Sequence, residues 1–324
     1  MFDVVTDIFG HFIDPRKRVF VGYLLVSVLI AIVWLIFIRG KSLNNSIKFL
    51  FNKKIWLARS SRADFFIFLI NRGISIVITP VLITQMVIAT AIFYWLHGID
   101  WLQSGSLQHL PDYLIIFLFT IFIFILDDFS KYWVHRWMHK WPILWALHKV
   151  HHSAEVLTPL TVYRTHPLEG IVFTIRGTFT QGVSISSFIF FFGNSVDLLT
   201  VLGANLFLFL FNTAGSNLRH SHIGIRYWSW LEYIFISPAQ HQLHHSIDIA
   251  HHDKNFGAAL AIWDYAFGSL HHSEEIESLH LGIETDEKNF NKLSTLYLSP
   301  VLEIIQILGH RTGNIFSKLK SIKK

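Results

Sequence analysis

Cysteine is absent from the 324-residue chain, which removes disulfides, iron–sulfur clusters, thiolate zinc sites and cysteine nucleophiles together. Charge is scarce as well: Asp, Glu, Lys and Arg supply 15% of the residues against 52% hydrophobic ones, and mean hydropathy is +0.43. That balance does not suit a pair of soluble domains and points to a membrane protein. Gly-rich nucleotide loops and flavin fingerprints are missing, so any redox chemistry must take its electrons from a separate donor. The net charge of +5 would admit nucleic acid as a partner, but Lys and Arg gather in loops beside apolar segments, as they do at membrane surfaces. What is abundant is aromatic: 30 Phe and 11 Trp suit a lipid-facing surface with interfacial belts.

Apolar runs set the expected architecture. Val19 to Ile38 is uninterrupted and long enough to cross ~30 Å of hydrocarbon. It begins inside the chain and lacks a small-residue cleavage site, so it reads as a span and not as a cleavable signal. A second region, Phe65 to Leu96, is broken at Asn71 to Gly73 and at Thr79-Pro80. Because Arg72 is costly at mid-bilayer, the expected span runs from Ile74 to Leu96. A third runs from Tyr113 to Leu126, and a hairpin of two more covers Gly170 to Phe192 and Val196 to Phe211, turning at Gly193 to Ser195. The loop from Arg39 to Arg62 holds seven basic residues and that from Gly98 to Asp112 holds none, so the former is expected to be cytoplasmic. The cluster Arg16 to Arg18, on the other side of the first span, pulls against that assignment. The expected fold is all-α and integral to the membrane, with about five transmembrane or membrane-embedded helices under a His-rich cytoplasmic helical cap. Its regions are 1–112 (transmembrane), 113–270 (catalytic) and 271–324 (cytoplasmic tail).

Three histidine boxes fall on that cytoplasmic side: His135 and His139; His148, His151 and His152; His241, His244 and His245, preceded by His220 and His222. Spacings of three and four place the imidazoles of each box on one helical face. Any one of these histidines alone is most simply a surface residue, but such clustering is not. Eight box imidazoles, with His220 or His222 added, exceed what one tetrahedral zinc takes, so two metals fit better. Arg136 stands where a zinc peptidase needs its Glu, which disfavours that chemistry. Imidazole suits iron, zinc and copper alike. A metal transporter and a zinc-dependent membrane hydrolase remain alternatives, although a transporter would place its ligands within the spans.

Beyond the histidines, the run Asp127 to His139, Leu144-Trp145 and His148 to Ser153, then Ser237 to Ser246, Lys254 to Gly257, Trp263-Asp264 and Phe267-Gly268, resemble the fatty acid hydroxylase and sterol desaturase superfamily over residues 113–270. The resemblance implies an integral-membrane enzyme with two Fe ions and O2 as co-substrate, which hydroxylates or desaturates a C–H bond of a lipid such as a sterol or fatty acyl chain. It implies a separate electron-transfer partner or reductant; one type of member uses tetrahydrobiopterin. The ligand before the third box does not align cleanly. Gly215 precedes Ser216 to Arg219 where members usually have a histidine, so either His220 or His222 substitutes.

Several other residues could assist. Asp127 and Asp128, closing an apolar span, could hold a ligand imidazole through its second nitrogen or be solvated by headgroups. Glu232, Asp248 and Asp264 are candidates for the same role. His166 is expected to cap or contact without ligating, His251 and His252 to sit in a solvated loop, and His271 and His272 on the surface beside Glu274 and Glu275. Phe188 to Phe192 read as packing or lipid-facing surface.

Overall fold

The computed structural model describes the chain except residues 1, 80, 81, 83, 194–196, 274–278, 285–289, 323 and 324; the side chains of 2–5, 7, 201 and 310–322 are also outside the description. In chain order the helices are α1 (Phe2–Ile13), α2 (Val21–Phe37), α3 (Leu43–Leu50), α4 (Lys53–Trp56), α5 (Arg59–Ile78), α6 (Gln85–His97), α7 (Asp112–Lys140), α8 (Pro142–His152), α9 (Pro167–Phe192), α10 (Leu206–Thr213), α11 (Pro238–His244), α12 (Ile262–Ala266) and α13 (Leu293–Ile322). One of these, α7, is long and apolar enough by itself to cross a membrane; Val21–Phe37, Gln85–His97 and Leu293–Gly309 are shorter apolar helices.

The way α2 is packed explains its composition. Tyr23, Ser27, Ala31 and Leu35 are buried, while Val21, Leu25, Leu29, Val33 and Phe37 stand exposed on the opposite stripe. A water-soluble helix turns its large apolar residues inward; here a full stripe of Val, Leu and Phe is left uncovered on the outer face. Its inner stripe packs with Leu50, Leu218, Ile223 and Ile225, joining the amino-terminal region to the segment that carries His220.

Two expected spans are built differently. The region from Ile74 to Leu96 is divided: α5 ends at Ile78, two residues before Pro80, and α6 begins at Gln85. A proline has no amide hydrogen with which to continue the helical ladder, which accounts for the break. Arg72 lies within α5, its Nη1 3.0 Å from Nε2 of His11. The region from Val196 to Phe211 is not one helix. Thr200–Val201 pairs antiparallel with Ala204–Asn205 through a two-residue turn, in which Leu202 and Gly203 have φ of 51° and 79°. Positive φ at both central positions matches the twist of a tight hairpin. Asn205 then caps the eight-residue α10 by accepting from the Phe207 and Leu208 amides. Asn194 and Ser195 of the expected turn lie outside the described residues.

By contrast, α7 carries the third apolar run without interruption into the first box, and α8 starts one residue later, after extended Trp141 and with Pro142 in its first turn. The carboxy-terminal α13 packs on this corner. Phe290 and Leu296 meet Val150 of α8 and Ala63 and Ile67 of α5, and Lys149 pairs with Glu303.

A fully buried Arg164 ties these pieces together. Its Nη1 donates to Asp64 Oδ1 of α5 at 2.9 Å, its Nε to the Val150 carbonyl of α8 at 2.9 Å, and its Nη2 to Ser153 Oγ at 2.9 Å and Asn291 Oδ1 at 2.7 Å. A buried guanidinium is tolerable only when its donors are met in this way.

Candidate metal centre

Four segments deliver the imidazoles. Residues His135 and His139 occupy one face of the last turns of α7, and His148, His151 and His152 fill the last turn of α8. Gly215, at φ 93°, starts the short turn Ser216–His220. Helix α11 opens on Ser237, whose Oγ accepts from the Gln240 amide while Gln240 Oε1 accepts from the Ser237 amide. This reciprocal cap fixes the register that presents His241, His244 and the following His245.

Nine of the ten candidate histidines converge in two groups: His135, His139, His148, His152 and His244 in one, His151, His220, His241 and His245 in the other, with ligating atoms in each group within 4.8 Å of one another. The tenth, His222, lies outside both groups. Its Nε2 donates to the Phe49 carbonyl at 3.1 Å, and its ring rests against Phe49. Of the two alternatives left open by the sequence, His220 is therefore the one brought to the cluster.

The geometry tests whether metals fit. Within the groups, Nε2 of His135 and His244 are 3.0 Å apart, those of His220 and His241 3.0 Å, and those of His151 and His220 3.2 Å. Two nitrogens each ~2.1 Å from one ion and at right angles to each other are ~3.0 Å apart, so these edges suit octahedral or related coordination. Nε2 of His139, His148, His152 and His245 is buried without a hydrogen-bond partner, an arrangement that is costly unless an ion takes the lone pairs. Burial, reinforced by neighbouring imidazoles, holds His148, His152, His220, His241, His244 and His245 well below the usual histidine pKa, and His151 at about 3. Neutral imidazole is the form that binds a metal.

Outer nitrogens are braced on one side of the centre. Nδ1 of His135 donates to the Phe256 carbonyl at 2.8 Å, that of His244 to the Lys254 carbonyl at 2.7 Å, and that of His148 to Glu169 Oε1 at 2.7 Å. Each such bond sets the tautomer and aims Nε2 inward. Glu169, fully buried at the start of α9, was not foreseen; its position one turn after His166 was the available signal. His166 itself caps α9, accepting from the Leu168 amide, and donates to the Tyr297 carbonyl.

The acids singled out in the sequence act one step further from the histidine groups. Asp264 accepts from the Phe256 and Gly257 amides and from Ser269, fixing the loop whose carbonyls hold His135 and His244. Gly257 is required there, since a Cβ would lie 2.5 Å from the Leu260 carbonyl oxygen and 2.8 Å from Asp264 Oδ2. Asp128 secures the same loop through the Ala259 and Leu260 amides and Trp263 Nε1, whereas Asp127 pairs with Arg176 and Lys131. Glu232 binds Ser237, Ser273 and His272, and Asp248 caps the turn holding His251. None of them touches a clustered imidazole. His251 differs from the expected solvated residue: that turn folds it inward, buried against His271, while His252 is exposed. Both His271 and His272 are half-buried; Glu274 and Glu275 beside them lie outside the described residues. Phe188, Phe190 and Phe192 are buried packing, as expected.

Residues 120–269 match the fatty acid hydroxylase family. An alkylglycerol monooxygenase of Caenorhabditis elegans is 26% identical over 53% of this chain and 31% of its own length. An ornithine lipid hydroxylase of Rhizobium tropici is 27% identical over 49% of this chain and 44% of its own. A sterol desaturase of Gibberella zeae is 28% identical over 44% of this chain and 40% of its own. The chain thus spans less than half the length of these curated relatives. No solved structure matches. Both converging histidine groups thus lie within the stretch, residues 120–269, that matches the fatty acid hydroxylase family and is similar to these lipid monooxygenases, hydroxylases and desaturases.

Proposed function

We propose that the chain is an integral-membrane, di-iron, O2-dependent oxidoreductase that hydroxylates, or desaturates, a C–H bond of a lipid. The observation that carries this reading is the pair of neutral histidine groups, five donors and four, with no carboxylate among the clustered ligands. The names of the relatives, an alkylglycerol monooxygenase, an ornithine lipid hydroxylase and a sterol desaturase, support a lipid substrate.

The placement of the site supports the multi-pass reading with the boxes at the cytoplasmic face. His135 follows the start of α7 at Asp112 by 23 residues, ~35 Å of helix, which carries it just past ~30 Å of hydrocarbon. The basic loop from Arg39 to Arg62 supports a cytoplasmic position for that end. Residues 113–270 form the catalytic region in this reading, 1–112 the amino-terminal membrane region and 271–324 a cytoplasmic segment.

In the reaction, a lipid R–H, O2, two electrons and two protons yield R–OH and water. Bound iron supplies the redox chemistry that makes O2 competent against an unactivated carbon. The chain does the rest. Imidazoles from four segments hold the ions without donating negative charge, and Glu169 and the Phe256 and Lys254 carbonyls prevent three of them from turning away. A cavity of about 760 Å3 between α7, α9 and α10, lined in part by Phe119, Ile123 and Ile185 and in part by charged and polar side chains, is large enough for a lipid chain. The electrons come from a separate donor.

Purified protein is expected to contain two irons per chain and to add one oxygen atom to a lipid only when O2 and reductant are both supplied. Loss of two hydrogens instead would identify a desaturase. Activity with zinc alone, or metal transport without oxygen consumption, would overturn the assignment.

A further inference from the structure

The same cavity has an uneven charge balance. Its wall includes the apolar Phe119, Ile123, Ile185 and Leu198 and the basic Arg18 and Arg219, with Arg16 and Lys131 also on the lining. Arg219 is buried, donates through Nε to the Ser216 carbonyl at 3.3 Å and lies 4.8 Å over the Phe211 ring. Arg18 donates to the same carbonyl at 2.9 Å, and its Nε is buried with no hydrogen-bond partner.

The acids lining the cavity are occupied elsewhere. Asp127 holds Arg176 and Lys131, Asp128 holds two loop amides and Trp263, and Asp197 accepts from the Leu198 amide. Among the described residues no carboxylate pairs with Arg18 or Arg219. Arg18 has no carboxylate partner and Arg219 has only the through-space attraction of Asp128, an arrangement beside a partly apolar cavity that a bound anion would stabilise.

We infer that this cavity binds an amphiphile with an oxyanion head, a carboxylate or a phosphate, held by Arg18 and Arg219, with its apolar tail between α7, α9 and α10. Arginine suits this role because its planar fork matches both oxyanions. The head end lies toward the metal centre: Nη2 of Arg18 is 3.3 Å from Nδ1 of His220. Such a molecule would therefore present head-proximal carbons, more than its tail end, to that side of the protein. What becomes of the bound lipid rests on the oxidoreductase reading above; the binding does not.

The test is equilibrium binding of radiolabelled palmitic acid, hexadecyl phosphate and hexadecanol to the full chain in non-ionic detergent. At least one of the two anions is expected to bind about tenfold or more tightly than the alcohol, since a charge-assisted hydrogen bond is worth that much; which of them does so names the head. Arg219→Gln and Arg18→Gln should each erase that preference, and Ile185→Trp should weaken all three ligands by filling the space beside the apolar wall. Equal affinity of the three for the unaltered protein would overturn the inference, whether or not the arginine variants fold. So would a preference that survives both arginine substitutions, or binding that ignores Ile185→Trp. Oxygenation of a neutral lipid by a protein showing no anion preference would leave the enzyme assignment standing and remove this one.

Discussion

The two histidine groups differ in how they are supported and in what they face. The five-donor group is braced through three outer nitrogens and borders a cleft of about 350 Å3 through His139, His152 and His244. The four-donor group is wholly buried; the outer Nδ1 of His151, His241 and His245 has no partner, and that of His220 faces Arg18. One half of the centre is thus stiff, accessible and has a donor to spare. The other is enclosed, takes its rigidity from packing and has none, so the two should respond differently to perturbation.

Loss of a donor should show the contrast most strongly. His241→Ala, leaving three donors in its group, is expected to abolish activity and take iron from two per chain to about one. His148→Ala should also abolish activity and lower iron, but retain more metal, because four donors remain; the protein should still insert in both cases. Iron analysis of the purified variants decides, and equal metal loss would break the comparison. Acid should act on both groups together. Their imidazoles stay neutral when folded but take up protons near pH ~6.5 when unfolded, so stability is full above that pH and falls as pH drops below it. Each contributes a loss of up to about 1.4 kcal/mol per pH unit until its folded pKa is reached. Melting of metal-free protein at successively lower pH should show this steep decline; a flat profile would contradict neutral burial. Glu169→Gln replaces the buried carboxyl group that braces His148 with an amide and should weaken metal binding about 10–100-fold while the fold persists, measured by competition with a chelator. Gly257→Ala, which crowds Asp264 and the Leu260 carbonyl, is expected to cost about 1–3 kcal/mol of stability and to loosen the five-donor side alone. His222→Ala should leave iron content unchanged, since its ring only meets Phe49.

The boxes were legible in the sequence because their geometry is local. Spacings of three and four on helices α7, α8 and α11 decide which imidazoles share a face, and no distant contact is needed. The supports are not local. Glu169 reaches His148 across 21 residues, and Phe256 reaches His135 across 121; neither distance leaves a periodic trace. The apolar run ending at Phe211 misled for a related reason: composition marks it as lipid-compatible but does not report that Leu202 adopts a left-handed turn. Likewise, neither His251 nor His222 carries a local sign of its burial or contacts. Spacing could not separate His220 from His222, because the choice depends on where α2 and the Phe49 segment pack.

Arg164 bears on how this protein can be handled. It lies within the family-matched stretch, yet it grips Asp64 upstream and Asn291 downstream of it. A fragment trimmed to residues 120–269 would leave that guanidinium buried and missing two of its acceptors. The recognisable segment is therefore not a portable module: chimeras, truncations and domain swaps cut at its edges should misfold, and their silence in an assay would say nothing about the chemistry of the intact chain.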